Sequence, residues 1–557
     1  MHQEHSTHPA PASAVAPSTR SPWLILAVLC TTVFIIVVDG TIVNVALPTF
    51  VRELGATTSQ LQWIVDAYVL VFAGLLMAAG SIGDRYGRKG VLLIGLVLFG
   101  LTSLGAAFAG SAGELIAWRA VMGVGGALIF PATLALLVNV FTNPKQRAVA
   151  IAVWAATSGL AVALGPVTGG LLLRHFWWGS VFLVNVPVIL LAMAMIAWIV
   201  PTSRDTTVHR FDPLGVLLSI AGIGLLVWAV IEGPHHGWLS IDSALAFGVA
   251  GALLATFVWW ERRIDHPMLD VGVFTNMRFT AGSLSVTLAF FALFGFIFMV
   301  TQYFQFVRGY DTLEAGLRTV PFALFTGIAA PLSAKLAANI GTKAVVAAGL
   351  ASMAVGFAWT TRLDIDSSYW LIVGQMLFMG GGLGLVNAPA TEAIMGSLPA
   401  EKAGVGSAVN DTARELGGTL GVAIVGSLFA STYAARLGEL LIGTPVPDDA
   451  LAIAKESVGA GAAVAAAAGD QFGVEAQQLV QGAVNQSFME GFHAGSWVSA
   501  GVVAVGAVLA WRFLPSRGHH HVVDVSAVGE VAPLGERSHD ASGGLGRLEG
   551  DHLTTGR

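Results

Sequence analysis

The chain has 557 residues, 55% hydrophobic and 11% charged, with a mean hydropathy of +0.74 and a formal net charge of -6. A soluble globular chain carries about 25% charged residues, so the composition excludes an ordinary soluble enzyme and places most of the chain in lipid. It also lacks the basic patch that nucleic-acid binding needs, and its single cysteine, Cys30, excludes an internal disulfide.

In chain order, residues 1–20 are polar, carry Pro and Ser, and have no apolar run before Trp23. They read as a disordered cytoplasmic segment rather than a cleavable signal peptide. A helix that crosses a membrane needs about 20 mostly apolar residues. Runs of that kind fall near 23–47, 61–82, 90–109, 113–139, 148–172, 181–200, 214–231, 244–260, 279–304, 316–338, 344–360, 369–396, 403–430 and 493–513. They are far too long for barrel strands, so helices must satisfy the backbone in lipid. The expected fold is an all-α integral membrane protein with fourteen transmembrane helices. A six-helix bundle occupies 21–202, a central two-helix insert 203–265, and a second six-helix bundle 266–515. The second bundle includes a long external connection, 431–490, in which 451–468 and Val474 to Phe488 read as short helices. Those helices form either a lid over the external opening or a passive connector. Residues 516–557 are polar and read as a disordered cytoplasmic tail. Its His519, His520 and His521 fit a solvated run better than a metal site.

Lysine and arginine set the orientation. With the N-terminus inside, the short inside loops hold Arg85, Arg88, Lys89, Lys145, Arg147, Arg204, Arg210, Arg262, Arg263, Arg278, Lys335, Lys343 and Lys402. The short outside loops and external helix ends hold Arg52, Arg174, Arg308, Arg318 and Arg362. Both termini are therefore expected in the cytoplasm, in a multi-pass protein of the cytoplasmic membrane.

Ionisable residues inside a span are costly and need a reason. Asp39 lies deep in span 1 within V-V-D-G-T-I-V-N-V-A-L-P, Asp66 in span 2 within Q-W-I-V-D-A-Y, and Arg119 in span 4 within W-R-A-V-M-G-V-G-G-A. Low dielectric favours the neutral form of a carboxyl, which suits Asp39 to proton coupling; the alternative is a structural hydrogen-bonding role near the helix end. A carboxylate at Asp66 facing a cavity would attract lipophilic cations or share in proton binding; the alternative is a snorkelling side chain. Arginine does not readily discharge, so Arg119 must face a cavity, a carboxylate or backbone carbonyls.

Between spans 2 and 3, Gly80 to Gly90 read G-S-I-G-D-R-Y-G-R-K-G. Glycines for a tight turn, one acid (Asp84) and three cations (Arg85, Arg88, Lys89) are crowded into one short loop. This string resembles the loop between spans 2 and 3 of the major facilitator superfamily, and six plus two plus six spans resembles its 14-span drug:proton antiporter branch. The sequence around Asp39, Thr41, Asn44 and Pro48 resembles the branch's first-span motif, and Arg119 with its glycines the fourth-span arginine motif. The resemblance implies that Arg119 is tied to proton transfer, with Asp39 one candidate partner. In span 5, Gly165, Pro166, Gly169 and Gly170 resemble the antiporter motif of exporters, which implies efflux. Physically they give a kinked helix with a small-residue face for close packing.

By the same resemblance span 9 lines the substrate cavity. Phe290, Phe294 and Phe298 recur every four residues on one face, with Gln302 beside them, and offer aromatic surface for flat cations or for lipid contact. Gly80, Asp84, Arg85, Gly87, Arg88 and Lys89 are expected to gate, the cations pairing with acids on neighbouring loops. Trp177 and Trp178, before Asn185 and Pro187, fit an interfacial belt. Asn387, Pro389 and Glu392 late in span 12, and Asp411, Arg414 and Glu415 at the start of span 13, read as structural or gating, with Asp411 and Arg414 spaced to pair. A faint repeat of the loop follows span 10: sliding Gly341 onto Gly87 puts Lys343 on Lys89 and Ala338 on Asp84.

No phosphate loop, zinc spacing or catalytic set appears. The expectation is a non-enzyme with no metal and no cofactor, driven by the proton gradient. Its partners would be small hydrophobic or cationic substrates, protons and membrane lipids, with no nucleic acid, and it would work as a monomer. The function expected is proton-coupled efflux of drugs and dyes by alternating access. The alternatives are a dedicated exporter of an endogenous lipid, siderophore or antibiotic and, more remotely, a non-transporting receptor or scaffold.

Overall fold

The structure is a computed structural model, and it describes residues 21–203, 212–238, 240–265, 267, 269–398, 403–444 and 446–515. Both tails, with His519 to His521, lie outside the described residues, as does part of the 203–265 connection. The side chain of Asp84 is likewise outside them.

The first bundle is built from α1 (Pro22–Leu54), α2 (Thr58–Tyr86), α3 (Arg88–Ala107), α4 (Ala112–Val140), α5 (Pro144–His175), and the pair α6 (Ser180–Leu183) and α7 (Asn185–Ile199). The insert is α8 (Pro213–His236) and α9 (Ile241–Glu261). The second bundle comprises α10 (Met277–Gln302), α11 (Thr312–Ile340), α12 (Thr342–Thr360), α13 (Tyr369–Met395), α14 (Ala403–Leu440), α15 (Asp448–Glu456), α16 (Val458–Phe472) and α17 (Val474–Phe513). A π-helical turn, Tyr303–Val307, extends α10. Among the described residues, 13 helices are long and apolar enough to cross a membrane, α6 and α7 counting as one. α5 fills the fifth place with its apolar stretch Leu160–His175. The arrangement is thus consistent with fourteen spans.

Local sequence explains where the helices turn. Thr57 and Gln60 form a reciprocal capping box at the start of α2, which satisfies two orphan donors. Gly87, with φ 109°, ends α2 and starts α3. Gly341, with φ 94°, does the same between α11 and α12. The two glycines aligned in the sequence repeat therefore make the same turn, at backbone angles that a side chain disfavours.

The external connection is shorter than its sequence suggests. α14 runs on to Leu440, and Val474 to Phe488 is the first part of the long α17 rather than a separate helix. The stretch expected as one helix over 451–468 is two, because Ser457 is extended (φ -161°) and its hydroxyl caps α16 by accepting from Ala460 N–H at 3.1 Å. Helix breakage at a serine that prefers the cap follows ordinary capping chemistry.

The bundle has two ends, marked by the Gly55 turn of α1–α2 and the Gly87 turn of α2–α3. Several hydrogen bonds join the two bundles, and they lie at the Gly55 end. Gln62 Nε2 donates to the carbonyls of Val422 and Ala423 at 3.1 and 3.0 Å and to Ser427 Oγ at 3.2 Å. Gln305 Nε2 donates to Val45 O at 2.9 Å, and Thr312 Oγ1 to Gly170 O at 3.3 Å. α15 and α16 reach the first bundle there: Glu456 O, at the end of α15, accepts from Thr58 Oγ1 at 2.9 Å, and Gly459 of α16 lies against Val51 of α1 as well as Phe306. The insert docks through α8. Glu232 Oε1 accepts from Ser59 Oγ at 2.7 Å and Trp63 Nε1 at 3.3 Å on α2. The apolar face of α8, Val227, Val230 and Ile231, packs with Ala423, Leu420 and Ile424 of α14.

Candidate functional site

Asp39 is fully buried in α1 and is met by side chains from two other helices. Arg119 Nη1, from α4, donates to Asp39 Oδ2 at 2.6 Å, and Asn185 Nδ2, the first residue of α7, donates to Oδ1 at 2.7 Å. The same amide nitrogen lies 3.2 Å from Ser103 Oγ of α3. Arg119 is itself fully buried. Its Nε donates to Ile64 O at 3.0 Å, and its Cζ stands 4.3 Å over the Tyr68 ring. A buried ion pair is tolerated only with good geometry and further hydrogen bonds; here Asn185, the Ile64 carbonyl and the Tyr68 face supply them. Nη2 of Arg119 and Oδ1 of Asn185 are left without partners, so the cluster retains one donor and one acceptor for a rearranged state.

Asp66 is also fully buried in α2, and neither carboxyl oxygen has a partner. It lies one helical turn from Gln62, so both occupy the face of α2 turned towards α14. Asn44 is buried, with Nδ2 on the carbonyls of Gly40 and Thr41 and with Oδ1 unpartnered.

The glycines of α5 pack as a small-residue face. A Cβ on Gly165 would collide with the Thr41 side chain, and one on Gly169 would come within 2.8 Å of Ile42 Cγ1, both on α1. Gly170 meets the backbone of Thr312 and Leu313, and Gly316 of α11 rests against the carbonyl of Pro166. α5 therefore packs closely on both bundles, at the Gly55 end where the hydrogen bonds between them also lie.

Two sequence expectations need correction. Phe290 and Phe294 are half-buried and stacked at 6.3 Å, but Phe298 is sealed in the core, and Gln302 donates to the Phe298 carbonyl at 3.0 Å. All residues from 298 to 305 are buried; that stretch is enclosed on every side, so helical face no longer selects what lines open space. The expected pair of Asp411 and Arg414 does not form an ion pair. Arg414 Nη2 instead donates to Asn387 Oδ1 at 2.8 Å and Thr391 Oγ1 at 3.1 Å on α13, because the neighbouring helix offers better-placed acceptors than its own turn. In the turn between α2 and α3, among the described residues, Lys89 Nζ donates to Ala197 O at 2.9 Å, in the last turn of α7; cations complement helix C-termini. Arg88 bonds to Ser203 through its N–H at 2.9 Å and Nη1 at 3.2 Å. Arg85 is exposed beside Tyr86, and Gly80 lies near Pro131.

Sequence reasoning does not single out Asn185, Ser103, Tyr68 and Gln62 as site residues. The available signal is a polar side chain isolated in an apolar run, as Asn185 is in V-F-L-V-N-V-P.

Comparison with known proteins agrees with this architecture. The family model described as "Major Facilitator Superfamily" matches residues 29–422. The multidrug efflux pump LfrA of Mycolicibacterium smegmatis is 40% identical over 452 residues, 81% of this chain and 89% of that protein. The methyl viologen resistance protein SmvA of Salmonella typhimurium is 36% identical over 448 residues, 79% of this chain and 88% of its own. Among solved structures, a bacterial homologue of the human lysosomal transporter Spinster superposes with a TM-score of 0.62 at 17% identity, covering 89% of this chain and 98% of that one. The motifs, the paired six-helix bundles and the length of the matches lead to one assignment: this multi-pass membrane protein belongs to the Major Facilitator Superfamily.

Proposed function

We propose that the chain is a drug:proton antiporter that exports hydrophobic or cationic compounds by alternating access. The observation that carries this reading is the Asp39–Arg119–Asn185 cluster, a carboxylate held in the interior by one cation and one amide. An ionisable group placed there marks an ion pathway by default. In the proposed cycle Asp39 exchanges its bond to Arg119 for a proton when the Gly55 end opens, and regains the bond when substrate enters from the other side. Buried charge without a partner is costly, so Asp66 is the place where a cationic substrate or a second proton gains most. The α5 glycine face, sealed on α1 and α11, closes the path against leak between turns of the cycle.

The names of the relatives support the substrate class: LfrA is a multidrug efflux pump, and SmvA is named for resistance to methyl viologen, a dication. The lysine and arginine bias supports a cytoplasmic Gly87 end and cytoplasmic termini, the whole working as a monomer in the cytoplasmic membrane without a cofactor. The proton gradient is the energy source, each inward charge adding about 2.3 kcal/mol per 100 mV.

Ethidium efflux from energised cells tests the reading. Wild-type cells are expected to extrude ethidium and to stop on addition of a protonophore, and Asp39→Asn cells to fail without one. Efflux by wild type that ignores the protonophore would refute proton coupling. No movement of any dye in a substrate panel would favour a dedicated exporter of one endogenous compound.

A further inference from the structure

The first bundle buries two acids, Asp39 and Asp66, but the second bundle holds a feature of opposite character. It rests on the export reading above and names a further substrate class for it. Arg414 of α14 is held in plane by Asn387 and Thr391, which occupy only its Nη2. Its Nε is buried with no partner, and among the described residues no protein group bonds Nη1. Asp411 and Glu415 lie near enough to feel its charge but make no direct ion pair with it; Asp411 Oδ1 accepts instead from Asn410 at 3.4 Å. The guanidinium carbon lies 5.4 Å from the Phe290 ring, which stacks on Phe294.

Phe290, Phe294, Asn387, Thr391 and Arg414 all keep partial exposure, whereas Ala289, Phe291, Val386 and Ala413 beside them are buried. An arginine and an asparagine turned to hydrocarbon would be costly, so the space they share is an interior one. Three helices thus bring a cation with two uncommitted donors alongside an aromatic pair. Offset stacking on Phe290 and Phe294 suits a flat ring. The uncommitted donors suit an acceptor oxygen, above all a charged one.

We propose that Arg414, Phe290 and Phe294 form a substrate subsite for planar aromatic compounds that carry a carboxylate or ketone acceptor. The chain would then handle flat acids and neutral carbonyl compounds as well as cations, with Arg414 and Asp66 selecting opposite charges in separate bundles.

Binding to the purified full chain in nanodiscs tests this, with two fluorescent planar probes, anthracene-9-carboxylate and ethidium. Wild type is expected to bind both. Arg414→Gln should weaken anthracene-9-carboxylate by at least ~10-fold, the loss of a charge-assisted hydrogen bond, and leave ethidium within about twofold. Arg414→Lys, which keeps the charge and loses the planar donors, should fall between. Wild type that does not bind anthracene-9-carboxylate would overturn the proposal. So would equal loss of both probes in Arg414→Gln and Arg414→Lys together with a lowered melting temperature, the signature of a purely structural tie between α13 and α14. Failure of ethidium alone to bind wild type would refute the cationic-drug reading and leave the subsite standing.

Discussion

Arg119→Met is expected to destabilise the purified protein by about 3–5 kcal/mol, whereas Asp39→Asn/Arg119→Met should recover most of that loss. The single change removes the 2.6 Å bond to Asp39 Oδ2 and leaves a fully buried carboxylate with only the Asn185 amide beside it. It also removes the donor to the Ile64 carbonyl. The double change removes both charges. The amide that replaces the Asp39 carboxylate would still offer its carbonyl oxygen to Asn185, and the methionine would fill much of the arginine's volume against Tyr68. Thermal unfolding of the wild type and three variants measures the coupling as a double-mutant cycle. A coupling near zero would mean that the pair does not act as a unit and would remove the physical basis for Asp39 exchanging Arg119 for a proton.

Gly316→Ala should block turnover while leaving the Asp39 cluster intact. A Cβ on Gly316 would come within 2.9 Å of the Pro166 carbonyl carbon, and nearer still to its oxygen. Both are backbone atoms of α5, so no side-chain rotation relieves the contact. Overpacking of this kind costs typically about 1–3 kcal/mol. That is a shift of roughly 5- to 150-fold in the population of the arrangement closed at the Gly55 end. The expected result is lost ethidium efflux, with a cysteine placed at Gln62 becoming more reactive to a membrane-impermeant maleimide added on that side than the same cysteine in a chain that keeps Gly316. Normal efflux with an unreactive cysteine would show that the α5–α11 contact is not a seal. Gly170 makes the reciprocal contact, where a Cβ would stand 2.5 Å from Leu313 Cα, and its alanine variant should behave alike.

The fold is largely legible in the sequence because lipid imposes one rule on length and polarity. Spans announce themselves as apolar runs, and Gly87 and Gly341 mark equivalent turns through conformations that disfavour side chains. The connection before α17 is harder to read because hydropathy falls at the water interface while the helix continues: Val474 to Phe488 is polar enough to look like a separate piece. In the site, Asp39 and Arg119 stand out as costly charges, but their junction with Asn185 joins residues 39, 119 and 185. Neither spacing nor periodicity within any one helix encodes that meeting. Phe298 and Arg414 depart from expectation for a related reason. Helical face says which residues point the same way, and only the neighbouring helices decide whether that direction is open space, core or, for Arg414, an acceptor on α13.

The claim that drug and proton exchange at Asp39 is tested most directly by proton release. Ethidium added to the purified transporter in weakly buffered detergent solution should release protons into the medium, read by a pH indicator. Asp39→Asn should bind ethidium with that release lost or sharply reduced. Undiminished release from Asp39→Asn, or binding by wild type with no release at all, would contradict the account.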